Sequence, residues 1–235
     1  MWLMADYEAV TLFSLKMSGA TSSGGKSLLL PTPYAIKLAL LDAACRVWGV
    51  QRAEAEWPGL RDARLALRPP ERIVVTNLFT KVLKPRRTPA ESGSPHAGPL
   101  GKTIAFREYV YHDGAFGVAL EIAARQLASA CTDLLLQINY LGKRGGFVQL
   151  VKGPEEAEDL PAGYIVVDGA LPASFSRDSL LQQMDDCDES LTFEKANVYS
   201  GVNIRLGKER VLRNVILPYR LARSSKSFTL YERAT

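Results

Sequence analysis

Three stretches of the chain carry residues whose types and spacing suit chemistry at an anion. Gly142-Lys143-Arg144-Gly145-Gly146 sets two cations among three glycines, so the backbone can approach a phosphate closely. A tight glycine hairpin with exposed charges has the same composition, and the loop alone does not separate the two. Ser22-Ser23-Gly24-Gly25-Lys26-Ser27 is a Gly/Ser/Lys loop ahead of a helix, where backbone amides can meet a phosphate. Lys84, Arg86, Arg87 and Lys102 bracket a turn-forming insert. Acid–base chemistry has thinner material. His112 and Asp113 follow Tyr111 with no nucleophile elbow nearby, and His96 sits in the insert with nothing to fix its ring.

The Gly25-Lys26-Ser27 triplet invites a nucleotide-binding loop. That motif needs a glycine five positions before Gly25, and position 20 is Ala20. Pro31 and Pro33 also prevent a helix from starting at Lys26, so the amide cradle cannot form. The NTPase reading is rejected.

Elements must position these loops. A β-type run, Ala9 to Lys16, precedes the first loop, and a helix follows it. Thr32 suits the N-cap and Pro33 the first helical position. Ala35, Leu38, Ala39, Leu41, Asp42 and Cys45 fall on one face with Lys37 and Arg46 outside it. Gly49 is the stop. Residues 51–70 are arginine-rich and irregular, and Leu60, Ala63, Leu65 and Leu67 suit a short helix or a strand equally. Arg72–Leu83 reads as a strand. Lys84–Lys102 is a low-hydrophobicity, turn-rich insert, and Ile104–Tyr111 alternates as a strand with aromatics at Phe106, Tyr109 and Tyr111. A helix is expected over Gly117–Ala130, then strands over Thr132–Tyr140 and Phe147–Val151. The order is βαββαβ, a ferredoxin-like, RRM-type unit. Beyond it, Tyr164–Val167, Leu191–Tyr199, Val202–Leu206, Val211–Leu217 and Ser227–Glu232 read as strands, and Asp185–Glu189 as a solvated acidic run without calcium-loop spacing.

The chain has 235 residues, 47% hydrophobic and 23% charged, with a net charge of +4. Residues 1–150 carry 18 Lys/Arg against 12 Asp/Glu, residues 151–190 carry 2 against 10, and residues 191–235 carry 9 against 3. Two basic blocks around an acidic one suit a protein that meets a polyanion on one side, although a solvated surface gives the same counts. No run is long enough for a membrane span, and the N-terminus is not a signal peptide. Cys45, Cys131 and Cys187 are too dispersed for a zinc site or a disulfide framework. The expectation is a cytoplasmic protein with no cofactor and no metal.

Ser27-Leu28-Leu29-Leu30-Pro31-Thr32-Pro33-Tyr34-Ala35-Ile36, the Phe106-Arg107-Glu108-Tyr109-Val110 strand and the Tyr140-Leu141-Gly142 turn together resemble, in order, the Cas-five family. These are RAMP-superfamily subunits of type I CRISPR Cascade, and the style is closest to types I-A and I-B. The resemblance covers residues 9–151. It implies an α+β fold: a ferredoxin-like βαββαβ RAMP domain over 1–151, a β-hairpin thumb insertion around 84–102, and a C-terminal β-rich extension over 152–235 packed on it. It implies a non-catalytic subunit that binds and caps the 5′ handle of crRNA, with the backbone (Cas-seven) and large subunits as partners and target DNA met indirectly. The candidate RNA contacts are Lys26, Ser27, Tyr34, Lys84, Arg86, Arg87, Lys102, Arg107, Lys143 and Arg144. Tyr109 and Tyr111 could stack bases. One branch of the family is a metal-independent endoribonuclease with a tyrosine, a lysine and a histidine. Tyr111, Lys102 and His112 are the counterparts here, but that branch's adjacent Lys-His pair is missing. A stand-alone RRM-like RNA-binding module is the other alternative.

Overall fold

The structure, a computed structural model, describes all residues except 21–23, 89, 96, 123–124, 144, 172–173, 175 and 235, and only the backbone of 24 and 125–127. Ser22, Ser23, His96 and Arg144, named above, therefore lie outside the described residues. The elements in order are β1 (Trp2–Ala9), β2 (Gly24–Gly25), α1 (Pro33–Val47), α2 (Val50–Asp62), β3 (Leu65–Arg68), β4 (Arg72–Pro85), β5 (Leu100–Asp113) and β6 (Phe116–Glu121). There follow α3 (Arg125–Leu136), β7 (Val148–Ala157), β8 (Ile165–Val166), β9 (Leu180–Cys187), α4 (Phe193–Ala196), β10 (Arg210–Leu217), β11 (Tyr219–Ser224) and β12 (Phe228–Arg233).

The architecture is mixed α/β with mostly antiparallel sheets. The first sheet runs β7-β1-β6-β3-β8, and all its pairings are antiparallel. The second runs β11-β12-β4-β5-β2, with a short parallel pairing of β2 to β5 at its edge. β9 and β10 form a two-stranded ribbon of their own. Helix α3 is tied to the first sheet where the buried Tyr7 hydroxyl donates to the Leu135 carbonyl at 2.7 Å. The Trp57 indole of α2 donates to the Leu191 carbonyl at 2.7 Å, which fastens the segment after β9.

Helix α1 starts as its sequence dictates. Thr32 Oγ1 accepts from the Ala35 amide at 3.1 Å, and Pro33 takes the first position. Gly49, at φ +80, ends the turn after α1 and begins α2, a backbone conformation that side chains rarely adopt. The open stretch 51–70 resolves into both choices. Ala53, Trp57 and Leu60 bury one face of α2, and Leu65–Arg68 is β3 inside the first sheet.

Several expectations are corrected. The strand placed at Ala9–Lys16 lies earlier, at Trp2–Ala9; of the later residues, Phe13 bridges Val110 of the second sheet and Lys16 bridges Ser27, which lies outside the named strands. Gly117–Ala130 is helical only in its last part, where α3 begins at Arg125. Its first half is β6, flanked by β1 and β3 and buried on both faces, and such a run carries no period to tell it from a helix. Thr132–Tyr140 is not a strand, because α3 continues to Leu136; Leu134 and Leu135 are buried and Leu136 points outward. The hairpin strands β4 and β5 belong to the second sheet rather than the central one. In the C-terminal part, Leu191–Tyr199 holds the short helix α4 and 202–206 forms no strand, meeting β10 only at the Leu206–Arg210 bridge, whereas β10 and β12 lie where expected and β11 is an addition. Asp185–Glu189 is no solvated run. Asp185, Asp186 and Cys187 are buried in β9.

Lys37 is the last correction in the fold. It is buried, with its ammonium 2.6 Å from Asp186 Oδ1, and both side chains are at least nine-tenths covered. Asp186 Oδ1 also accepts from the Cys187 amide at 2.7 Å. A buried charge persists only when paired and hydrogen-bonded, so the helix face that looked polar is the one pinned to β9.

Candidate nucleic-acid interface

The α1 face singled out by its spacing is only partly inside. Ile36, Leu40, Ala43 and Ala44 make the fully buried side, while Leu38, Asp42 and Cys45 stay half-exposed. That face is the wall of a groove of about 920 Å³. The far wall is the segment after α4, where Val198 and Tyr199 are 85% and 93% exposed. Phe193, Tyr34 and Tyr140 add rings to the lining, and Lys16, Arg107, Lys143 and Arg210 add cations.

Each cation is set by its element. Gly142 adopts φ +74, and a β-carbon there would run into the Leu15 side chain, so only glycine lets the loop close against this wall and present Lys143. Lys143 loses affinity for its proton, first because of desolvation and then because of the neighbouring Arg107 charge. Among the described residues no carboxylate pairs with Lys16, Arg107 or Lys143. Arg210 differs, since its Nε donates to Asp185 at 2.6 Å while its guanidinium lies 4.8 Å from the Tyr34 ring centroid. Burial raises the Tyr34 pKa, reinforced by Cys187 and Asp185 and opposed by Arg210.

The sequence-derived residues thus fall into groups. Tyr34, Arg107 and Lys143 meet in the groove. Lys84, Arg86, Arg87 and Lys102 sit at the far end of the β4–β5 hairpin, where Lys84 pairs in register with Gly101 and Leu83 with Lys102. Five residues of strand, about 17 Å, separate Lys102 from Arg107. Lys26 is largely exposed and 4.0 Å from Glu108. Ser27 is buried, its hydroxyl accepting from Leu15 N and donating to Leu28 O, while its own amide donates to Glu108. That makes it a clasp between the loop and β5. Lys16, Tyr140, Tyr199 and Arg210 were missed as groove residues. Only the exposed aromatic within the turn-forming Asn197–Gly201 stretch offered a signal.

The ribonuclease trio is not assembled. Lys102 and Tyr111 lie nine residues apart along β5, about 30 Å. His112 is buried between the Phe13 and Phe116 rings, at 4.6 and 5.4 Å between centroids. Its Nε2 donates to the Leu29 carbonyl at 2.7 Å, and its Nδ1 is buried without a partner. Burial lowers its pKa to about 4, partly offset by the Leu29 bond. Among the described residues no group of three or more His, Cys, Asp and Glu side chains could hold a metal ion, and no helix is long and apolar enough to cross a membrane.

The hairpin has a second character. Its base buries Ile73, Val75, Val110 and His112 on one face, and the same face continues outward with Phe79 76%, Ile104 64% and Leu83 60% exposed. Phe79 and Phe106 pair in register with ring centroids 4.6 Å apart. On that face Lys81 stands opposite Ile104 and Lys102 opposite Leu83, so the exposed apolar residues are interleaved with cations, and exposed apolar surface of this kind is a feature of interaction sites.

No protein-family model matches the chain. The resemblance to the Cas-five family is borne out by a curated relative: CRISPR-associated protein Cas5 of Archaeoglobus fulgidus is 27% identical over 218 residues, 89% of this chain and 90% of that protein. Two solved structures are similar. The crystal structure of a CRISPR protein from Archaeoglobus fulgidus has a TM-score of 0.43 at 16% identity, covering 100% of this chain and 92% of that one. A chain of a CRISPR RNA-guided surveillance complex has a TM-score of 0.46 at 16% identity, covering 92% and 90%.

Proposed function

We propose that this chain is a CRISPR-associated Cascade subunit of the Cas-five kind, which binds and caps the 5′ handle of crRNA in a type I interference complex without catalysing a reaction. The observation that carries this is the Arg107–Lys143 pair at an aromatic-lined groove. Two like charges held together without a carboxylate repel each other, and an anion placed between them reverses that cost. An RNA end supplies both the phosphate and flat bases for Tyr34, Tyr140 and Phe193. The curated relative supports the CRISPR assignment.

The fold is read as ferredoxin-like. The strand order β7-β1-β6-β3 and the intervening helices support it, because the fourth, first, third and second strands of a βαββαβ unit stand in that order. The β4–β5 hairpin is the thumb, and its apolar stripe meets the backbone (Cas-seven) subunit. The large subunit docks nearby, target DNA is met only through the assembled complex, and the complex works in the cytoplasm.

The test is reconstitution of crRNA with the backbone and large subunits, with and without this chain. Nuclease protection of the crRNA 5′ end is expected only when the chain is present. Protection without it overturns the reading. In EDTA, the chain is expected to leave a repeat-containing precursor RNA uncut, and site-specific cleavage abolished by His112→Ala would establish the endoribonuclease instead.

A further inference from the structure

The second sheet has an outer face that is open to solvent around Tyr111 and Arg223, although Ala105 on the same face is buried. Cross-strand partners share a face. Ile73, Val75, Val110 and His112 are buried on the inner side, so the alternate residues look outward. They form rows across the strands: Tyr109, Thr76 and Phe228 in one, and Tyr111, Val74, Leu230 and Arg223 in the next. Tyr111 is 52% exposed, and Tyr109 and Phe228 are half-buried. One further row, Asp113, Arg72, Glu232 and Arg220, is closed on itself by the Arg72–Asp113 and Arg220–Glu232 ion pairs. The charges left over are positive, because among the described residues Arg107 and Arg223 have no carboxylate partner.

Arg107 joins this face to the groove. It lies opposite Leu78 in register, one row beyond Tyr109, and it also lines the groove beside Lys143. We propose that the outer face of the second sheet is a stacking platform for single-stranded RNA, continuing the strand held in the groove past Arg107 onto Tyr109, Tyr111 and Phe228, with Arg223 on a phosphate. The entry point rests on the proposed groove site; the platform itself rests on its own rings and charges. Successive rings on β5 are about 6.7 Å apart, and neighbouring strands add steps of about 4.8 Å. A flexible single strand can match such spacing with splayed bases, and stacking of that type tolerates any sequence.

The experiment measures binding of a fluorescein-labelled 12-nucleotide oligouridylate by the full chain, together with photo-crosslinking of its 4-thiouridine form. Tyr111→Ala with Arg223→Ala is expected to weaken binding roughly tenfold to a hundredfold and to remove the crosslink from the β5 peptide. Tyr111→Phe keeps the ring and is expected to bind within about twofold of the original. Wild-type affinity in the double variant overturns the platform, as does loss of a protein subunit from the assembled complex with RNA binding intact. If Lys143→Ala changes nothing while the double variant loses affinity, the groove reading fails and the platform stands.

Discussion

His112 shows how a residue with the right chemistry is removed from it by its surroundings. Its ring is enclosed by Phe13 and Phe116, and its one outward bond goes to Leu29. The folded state holds the imidazole neutral to about pH 4, whereas the unfolded chain takes up the proton near the ordinary 6.5. The unfolded chain therefore binds more protons across that window, and stability falls as pH falls from 6.5 towards 4. The loss from this group is of order 3 kcal/mol. Urea unfolding at pH 7 and pH 4.5 should show a wider gap for the natural chain than for His112→Phe, and equal gaps would contradict it. Lys37 argues the same point for a charge. Lys37→Met leaves Asp186 buried opposite a thioether and should cost about 3–5 kcal/mol, while adding Asp186→Leu should recover much of it.

At the scale of elements, α1 and the hairpin carry the argument. Thr32→Ala removes the cap on the Ala35 amide and should cost about 1 kcal/mol in denaturant unfolding. The hairpin stripe behaves differently. Phe79→Ser with Ile104→Thr should shift stability little, within about 0.5 kcal/mol per site, yet abolish co-purification with the backbone subunit. Retained co-purification would sever the stripe from assembly. These elements also show what the sequence makes legible. The helix start at Thr32-Pro33, the strands over Arg72–Leu83 and Ile104–Tyr111 and the insert between them follow from caps, β-branched runs and turn residues, all of them local signals. β6 was hidden because burial on both faces erases its alternation, and Ala119 and Leu120 favour a helix when read alone. The ionic core of β9 was hidden because Asp185-Asp186-Cys187-Asp188-Glu189 shows its charges but not their partners, which lie far away in Lys37 and Arg210.

The whole molecule sets residues from distant parts of the chain around one groove: Tyr34 from α1, Arg107 from β5, Lys143 from the glycine loop and Tyr199 from the segment after α4. Motifs named three of these four. Tyr199 and the other late-chain residue, Arg210, came only from the way the C-terminal extension folds back. The β9–β10 ribbon brings Asp185 to Arg210 and Arg210 to Tyr34, and it thereby couples the extension to α1. If Arg107 and Lys143 hold crRNA phosphates, as proposed, the salt dependence of crRNA handle binding in the reconstituted complex must differ between the natural chain and Arg107→Ala/Lys143→Ala. Each lost single-strand phosphate contact releases fewer counterions, so the slope of log affinity against log salt should shrink by ~0.7 per contact, roughly 1.4 for the pair. An unchanged slope would place the RNA elsewhere and contradict the groove.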